Sequence, residues 1–436
     1  MARSRQYPPS VDPGAPIEPP VPEGWQRFSF GELLDVVERP VILDADREYQ
    51  LVNAKRSRGG IAPRERLRGR DIKVKSQFRI EADDFLISKR QIIHGACGIV
   101  PKEFAGAVVS NEYVALRPKP SLDINYLRYL SFTPYFQRTC FHSSVGVDVE
   151  KMIFKLEQWL QYSVSIPPLP EQRKIAAILS SVDDTFEKAQ AVIDQLEVVK
   201  KGLLGELLTR GMPGRHKDFK KTKIGDIPVT WRICRLEEIA EVRTGLAKNS
   251  KKASDSTVEL PYLRVANVQD GHLDLREIKK IQVDSTIVER YLLRDGDVLF
   301  NEGGDADKVG RGTVWRGQLP QCLHQNHVFA VRPSKDIHPD FLSLYGGSTR
   351  GKAYFLDAAK QTTNLASINS SQLKALPVPL PHIEEQREIV KIAESLNARK
   401  EVEEKTLNSL RHLKTALLNS LLSGKLPVSI SEQEAA

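Results

Sequence analysis

The stretch Gly346 to Ala353, GGSTRGKA, comes within one residue of the phosphate-cradling pattern G-x-x-x-x-G-K-[ST]. That loop needs a strand before it and a hydroxyl after the lysine to hold magnesium. Here a helical stretch precedes it and Ala353 stands where the hydroxyl belongs, so no ATP site is expected. Asp305 and Asp307 in GGDADK lack the glycine and the glutamate that would complete a calcium loop. The aromatic-flanked Asn-Pro-Pro or Asp-Pro-Pro of an amino-methyltransferase does not occur, nor does a glycine-rich cofactor loop after a strand, a G-x-S-x-G or an H-E-x-x-H. His324 and His327 share a segment without a cysteine or carboxylate arrangement to complete a metal site. Cys97, Cys140, Cys234 and Cys322 lie far apart with no C-x-x-C pair, and read as reduced, mostly buried thiols of a cytosolic protein. No catalytic residue, metal or cofactor is expected in this chain, which points to binding or targeting.

Binding to a polyanion is the chemistry the charge favours without requiring it. Net charge is +8, with a pI near 9.1 in a chain that is 28% charged. Basic residues concentrate at 55–79, KRSRGGIAPRERLRGRDIKVKSQFR, and again at 215–223, RHKDFKKTK. Reading base edges takes long polar side chains on rigid strands or helix ends, beside Arg and Lys that grip phosphate. Candidates are Lys55, Arg56, Arg58, Lys89, Arg90, His94, Ser110 and Asn111 in the first half, and Asn301, Lys308, Arg311, Gln325, Asn326 and His327 in the second. Each alone reads as an ordinary surface residue; as clusters at matching positions of two repeats they become candidate readers.

Those repeats are organised by two helical stretches. LPEQRKIAAILSSVDD from Leu169 reappears as EEQREIVKIAESLNAR, at a constant offset of 214 residues from Glu171-Gln172-Arg173 onward. Ile175, Ile178, Val182, Leu196, Leu203 and Leu207 thereby match Ile389, Ile392, Leu396, Leu410, Leu417 and Leu421. Apolar residues at 175, 178, 182, 186, 189, 193, 196, 199, 203 and 207 keep three-four spacing, the seam of a coiled coil. A helix of some 38 residues, about 57 Å long, with a single apolar stripe needs a mate, and the other copy supplies one. Prolines (Pro167, Pro168, Pro170; Pro377, Pro379, Pro381) precede each helix.

Before each helix lies a unit of domain size. Aligning Trp25 with Trp231 puts Leu33 opposite Ile239 and Val36 opposite Val242. Deeper in, EADDFLIS (81–88) matches RDGDVLFN (294–301). Similarly SNEYVALRP (110–118) matches QNHVFAVRP (325–333), each a strand closed by Arg-Pro and followed by a helix, INYLRYLSF or PDFLSLYGG. The polar segments between these matches differ, HGACGIVPKEFAGA against EGGDADKVGRGTVWRGQLP. Two scaffolds of one fold with different surfaces are what reading two different ligands requires. The expected organisation is a disordered proline-rich arm (1–22), a first domain (23–166), a helix (167–212), a basic linker (213–226), a second domain (227–376), a second helix (377–427) and a tail (428–436). No apolar run is long enough to span a membrane and no signal-peptide core is present, so a soluble, cytoplasmic protein is expected.

Two divergent units, each followed by a helix opening Pro168-Leu169-Pro170-Glu171-Gln172-Arg173 or Pro379-Leu380-Pro381 through Glu385-Gln386-Arg387, resemble the specificity subunit of type I restriction-modification systems. The stretches GDVLFNEGGDADKVGRG and FLISKRQIIHGACGIVP also resemble segments of that family's target recognition domains, and the likeness runs from about Trp25 to Pro427. It implies an α/β (α+β) fold with two target recognition domains in tandem, separated by two long helices forming an antiparallel coiled coil with pseudo-twofold symmetry. It also implies double-stranded DNA, two methyltransferase subunits and restriction/translocase subunits as partners. S-adenosylmethionine, ATP and magnesium would bind on those subunits, and each domain would read half of a bipartite, non-palindromic target. The alternative is a non-enzymatic coiled-coil scaffold joining two protein-binding domains, with the charge incidental. The proline-rich arm lies outside the family pattern.

Overall fold

The computed structural model describes residues 7–247, 256–304, 308–361 and 366–429. Asp305 and Asp307 fall outside them. The chain divides into two units, Met1–Gln190 with Lys405–Ala436, and Ala191–Glu404.

In the first unit β1 (Gln26–Ser29) enters the one-turn helix α1 (Phe30–Leu33). The turn is set by a capping box: the Ser29 hydroxyl accepts from the Glu32 amide at 3.2 Å, and the Glu32 carboxylate accepts from the Ser29 amide at 2.7 Å. The strands β2 (Leu34–Val37), β3 (Pro40–Val41), β4 (Glu48–Ala54), β5 (Ile61–Arg68), β6 (Gln77–Arg79), β7 (Phe85–Ser88), β8 (Cys97–Ile99), β9 (Val108–Ser110) and β10 (Tyr113–Pro118) build two sheets, ordered β2-β10-β7-β8 and β3-β6-β9-β4-β5. β7 is buried throughout, and apolar from Phe85 to Ile87, because both of its faces are covered. Leu86 joins Val52, Val109 and Ala115 between the sheets. Phe85 and Ile87 face α2 (Ile124–Leu130) and α3 (Pro134–His142) through Tyr126, Leu127 and Phe136. β11 (Ser144–Val145) pairs with β12 (Ile153–Phe154), α4 (Leu156–Trp159) follows, and β13 (Ser163–Ile166) returns to pair with β1. The chain then enters α5 (Leu169–Arg210), 42 residues long.

The second unit repeats this plan after a hairpin of β14 (Phe219–Thr222) and β15 (Gly225–Pro228). β16 (Arg232–Arg235), α6 (Leu236–Ile239), β17 (Ala240–Thr244), β18 (Thr257–Leu263), β19 (Lys279–Asp284) and α7 (Val288–Tyr291) come next. β20 (Val298–Asn301), β21 (Gly303–Gly304), β22 (Gly312–Val314), β23 (Leu323–His324) and β24 (Val328–Pro333) follow. Sheet order β17-β24-β20-β22 repeats that of the first unit, with a second sheet β19-β18-β23. Helices α8 (Pro339–Gly347) and α9 (Thr349–Ala358), strands β25 (Lys360–Gln361) and β26 (Ala366–Ser367), helix α10 (Ser370–Lys374) and strand β27 (Pro377–Leu380) lead into α11 (Ile383–Leu421), 39 residues long.

In each unit the two long helices pack side by side. In the first, Lys414 meets Asp183 at 2.5 Å and the Arg411 guanidinium lies 5.9 Å from the Phe186 ring centre; in the second, Lys400 bonds Glu197. Numbers rise along α5 as they fall along α11, so the pairing is antiparallel. Ile175 and Leu421 are buried in the first unit's core with Ile178 and Leu417 against them, and Leu207 and Ile389 in the second's with Leu203 and Ile392. Val182, Leu196, Leu396 and Leu410 are only half-buried, and Val199 is exposed. The ends of the helices dock on domain cores while their middles form a thin seam, because a 3.6-residue helix drifts off a 3.5-residue stripe.

Three boundaries differ from the sequence reading. Residues 377–380, assigned to the second helix, are β27, which tolerates its prolines because, among the described residues, it pairs only with β16. The basic linker forms the β14–β15 hairpin, with Arg215 on Glu388 at 2.7 Å and His216 on Glu385 at 2.8 Å, both in α11. The arm expected to be disordered packs, over residues 7–22, against the first domain. Val11 is buried, Asp12 pairs with Arg138 at 2.9 Å, Ser10 reaches His94, the His142 ring bonds the Gly14 carbonyl, and Tyr7 meets Phe141 edge-on. Proline-rich composition hid this, since polar partners rather than an apolar stripe fasten the segment.

Candidate nucleic-acid interface

The motifs that repeat between the units turn out to be fastenings. Asp84, fully buried, accepts two bonds from Arg39 (2.6 and 3.1 Å), one from Arg117 (3.0 Å) and one from the Glu81 amide (2.8 Å). Its counterpart Asp297 accepts two from Arg332, both at 2.8 Å, and one from the Arg294 amide at 2.9 Å. The acidic turn and the Arg-Pro ending of the neighbouring strand are thus one device, a buried ion pair locking two adjacent strands. The helix-opening Glu-Gln is another. Gln172 accepts from the Asp123 amide (2.9 Å) and donates to Ser121 and Pro167 carbonyls (2.9 Å each), while Gln386 accepts from the His338 amide (2.8 Å) and donates to Asp336 (3.0 Å) and Pro381 (2.9 Å). The Trp25 and Trp231 indoles donate to Glu171 (3.3 Å) and Glu385 (3.1 Å). Burial raises the Glu171 carboxyl above the ordinary range, opposed by that indole bond. GGSTRGKA spans the junction of α8 and α9, where a side chain on Gly351 would strike the Tyr345 carbonyl and one on Gly346 the Phe300 ring; close packing explains these two glycines without a phosphate. Cys97, Cys140 and Cys322 are buried thiols and Cys234 is half-buried; burial pushes Cys97 up to about 11 and Cys322 to about 12.

Of the first unit's candidates, Lys55, Arg56 and Arg58 sit on the turn joining β4 to β5, and His94 lies beneath them. Arg56, exposed, donates to Gln91 (2.8 Å) and Glu150 (2.7 Å). Arg58 turns inward at φ 56°, donating to the Ser131 carbonyl at 2.9 Å with its guanidinium 5.8 Å from the Phe132 ring centre, and burial lowers its pKa. His94 is 0% exposed, its Nδ1 2.9 Å from the Ser10 hydroxyl and its Nε2 3.3 Å from Glu150; burial, then Arg56, push it below the usual imidazole range. Arg58 and His94 therefore brace the turn from inside instead of facing a ligand. Lys89 and Asn111 line one cleft of about 410 Å³ with Tyr113 and Lys155. Arg90 is exposed and paired with Glu112 at 2.5 Å, and Ser110 ends β9.

In the second unit Asn301 is 1% exposed and donates to the Val265 (3.3 Å) and Val268 (2.9 Å) carbonyls. It is a peg between strand and loop, not a base reader. Arg311 donates to Gln269 at 3.2 Å and stands 3.8 Å from Asp270, which also takes Lys352 at 2.9 Å. Exposed His327 bonds Glu302 at 2.5 Å, with Asn326 beside it at 3.4 Å. Gln325 is half-buried, its amide bonding the Leu263 carbonyl, and Lys308 is half-buried near Gly304. His324, one turn away in sequence, is buried; its Nδ1 contacts the Val328 carbonyl at 2.7 Å, and burial holds its pKa down to about 4. The partners Ser10, Gln91, Glu150, Gln269 and Asp270 carried no sequence signal, because each acts through a loop far away in the chain. No group of three or more His, Cys, Asp or Glu among the described residues is placed to hold a metal, and no helix there is long and apolar enough to cross a membrane.

Two copies of one fastened scaffold with unlike polar surfaces define a tandem recognition protein. The family model for the type I restriction modification DNA specificity domain matches residues 22–198 and 228–412, and the chain belongs to that family. It is 26% identical to the type I restriction enzyme MjaVIII specificity subunit of Methanocaldococcus jannaschii over 94% of each chain. It is also 26% identical to the EcoKI specificity subunit of Escherichia coli over 71% of this chain and 66% of that one. Among solved structures, a chain from a study of complex assembly and conformational transition of the type I R-M system superposes with TM-score 0.59 at 20% identity, covering 93% of this chain and all of that one. The S subunit of a type I restriction-modification system from M. genitalium gives 0.50 at 13%, covering 95% and 100%. The chain is a specificity subunit of the type I restriction-modification class, with two tandem recognition domains.

Proposed function

We propose that each domain reads one half of a bipartite, non-palindromic duplex target, and that the antiparallel helices set the unread spacer and dock two methyltransferase subunits. The observation that carries this reading is the uneven repetition: Asp84 and Asp297, Gln172 and Gln386, and Trp25 and Trp231 recur in the same bonds, while the surfaces above them do not match. A shared frame with unlike faces suits two different half-sites. This chain is the non-catalytic, DNA-recognising component. S-adenosylmethionine, ATP and magnesium belong to the methyltransferase and to the restriction/translocase subunits, and target bases would be extruded into the methyltransferase pockets.

Methylome sequencing of the host with and without this chain tests the reading. A bipartite methylated motif that vanishes only on deletion is the expected result; an unchanged methylome overturns it. Native mass spectrometry of the modification complex should give two methyltransferase subunits per chain, and one per chain would remove the repeated docking surface.

A further inference from the structure

Each unit carries a two-stranded ribbon whose inner strand pairs in parallel with the short strand preceding the Arg-Pro strand. In the first unit Leu51 of β4 pairs with Val108 of β9; in the second Tyr262 of β18 pairs with Leu323 of β23. The outer strands, β5 and β19, lie on the free edges of their sheets. One face of each ribbon is buried, through Tyr49 and Leu67 near Ile72, and through Leu260 and Val283 near Leu246.

The opposite face is polar at its outer end, before it runs under the core at Val52 and Leu263. Directly opposed there are Glu48 with Arg68 and Gln50 with Arg66, and, in the second unit, Glu259 with Gln282 and Pro261 with Lys280. Aligned on Leu51 and Tyr262, the same four places hold Glu48, Gln50, Arg66 and Arg68 in one ribbon and Glu259, Pro261, Lys280 and Gln282 in the other. All but half-buried Gln50 and Pro261 are exposed. Arg66 Nε donates to Gln50 Oε1 at 3.0 Å, holding guanidinium and amide side by side, and Lys280 pairs with Glu259 at 3.4 Å.

We propose that these outer faces are the base-reading surfaces, with Gln50, Arg66 and Arg68 determining specificity for one half-site and Glu259, Lys280 and Gln282 for the other. This rests on the DNA-reading function above. A two-stranded ribbon fits the major groove, where Arg pairs with guanine, Gln with adenine and Glu with the cytosine amino group. Equal backbone places with unequal side chains are what two readers of different sequences need.

The test uses the complete modification complex at one fixed salt concentration, with methylation rates measured on duplexes carrying every single base change in each half-site. Arg66→Ala and Gln50→Ala should weaken the preference for the cognate base roughly tenfold or more at one or two positions of one half and leave the other half untouched. Arg66→Lys, which keeps charge and fold but loses the planar fork, should show the same loss, and Gln282→Ala should act in the other half only. A uniform slowing on all duplexes would make the ribbon a phosphate grip and overturn the proposal. Unchanged preferences accompanied by self-association would make its charges mere edge protection and overturn it as well. A wild-type complex without any bipartite preference would instead sink the function proposed above.

Discussion

Asp84 shows how a single residue can be conspicuous in sequence and yet silent about function. It stands in a repeated motif, but its oxygens are consumed by Arg39, Arg117 and the Glu81 amide. Asp84→Ala would leave two guanidinium groups without their anion, and a loss of about 3 kcal/mol is expected, read by denaturant unfolding. Gln386→Ala orphans one amide and two carbonyls and should cost a similar amount, about 3 kcal/mol, by the same measurement. His324 gives a pH dependence. Its imidazole titrates near 6.5 when unfolded and about 4 in the fold, so between those values the unfolded chain binds the proton and the folded chain does not. Its contribution is complete above pH 6.5 and is lost as pH falls toward 4, by about 3 kcal/mol. His324→Asn should flatten that part of a plot of melting temperature against pH.

The elements were legible where periodicity and caps speak. Phe85–Ser88, Val298–Asn301, the Arg-Pro strands and the helices after them follow from apolar runs and turn residues. What stayed hidden depends on contacts remote in the chain: β27 looked like the first turn of a helix until β16 paired with it, and residues 7–22 looked unfastened. The reading candidates were half legible. Arg56 and His327 are exposed, but Arg58, His94 and Asn301 point inward, since a basic or amide side chain says nothing of its direction. β4–β5 gives little signal in the sequence because its joining turn is long and its apolar residues divide between two cores, Tyr49, Leu51 and Leu67 on one side and Val52 and Ile61 on the other. Removing residues 1–15 should speed amide exchange of 91–96 and 134–142, which the arm braces through Ser10, Asp12 and Gly14. Exchange in the second domain should not change.

For the molecule as a whole, the length of the paired helices is the quantity that can be changed. Adding seven residues, about two turns or 10 Å, to α5 after Gln190 and to α11 after Glu404 should lengthen the methylated motif's spacer by roughly three base pairs. Methylome sequencing reads this directly, and an unaltered spacer would show that the helices do not measure it. The tandem plan was visible from the 214-residue offset, whereas the division of labour along the helices was not. Each domain closes its core with the nearer end of both helices, Ile175 with Leu421 in one and Leu207 with Ile389 in the other.

That self-sufficiency has a hereditary consequence. The buried polar locks of each head, at Asp84, Gln172 and Trp25 in one and at Asp297, Gln386 and Trp231 in the other, find their partners within that head's own stretch of sequence. A genetic crossover in the helix-coding stretch therefore keeps all of them when a head from a foreign gene is spliced on, provided an incoming first head accepts Leu421 and Leu422 against its core. New addresses on DNA would then arise by exchange of whole halves, in one step, while the old frame went on folding as before.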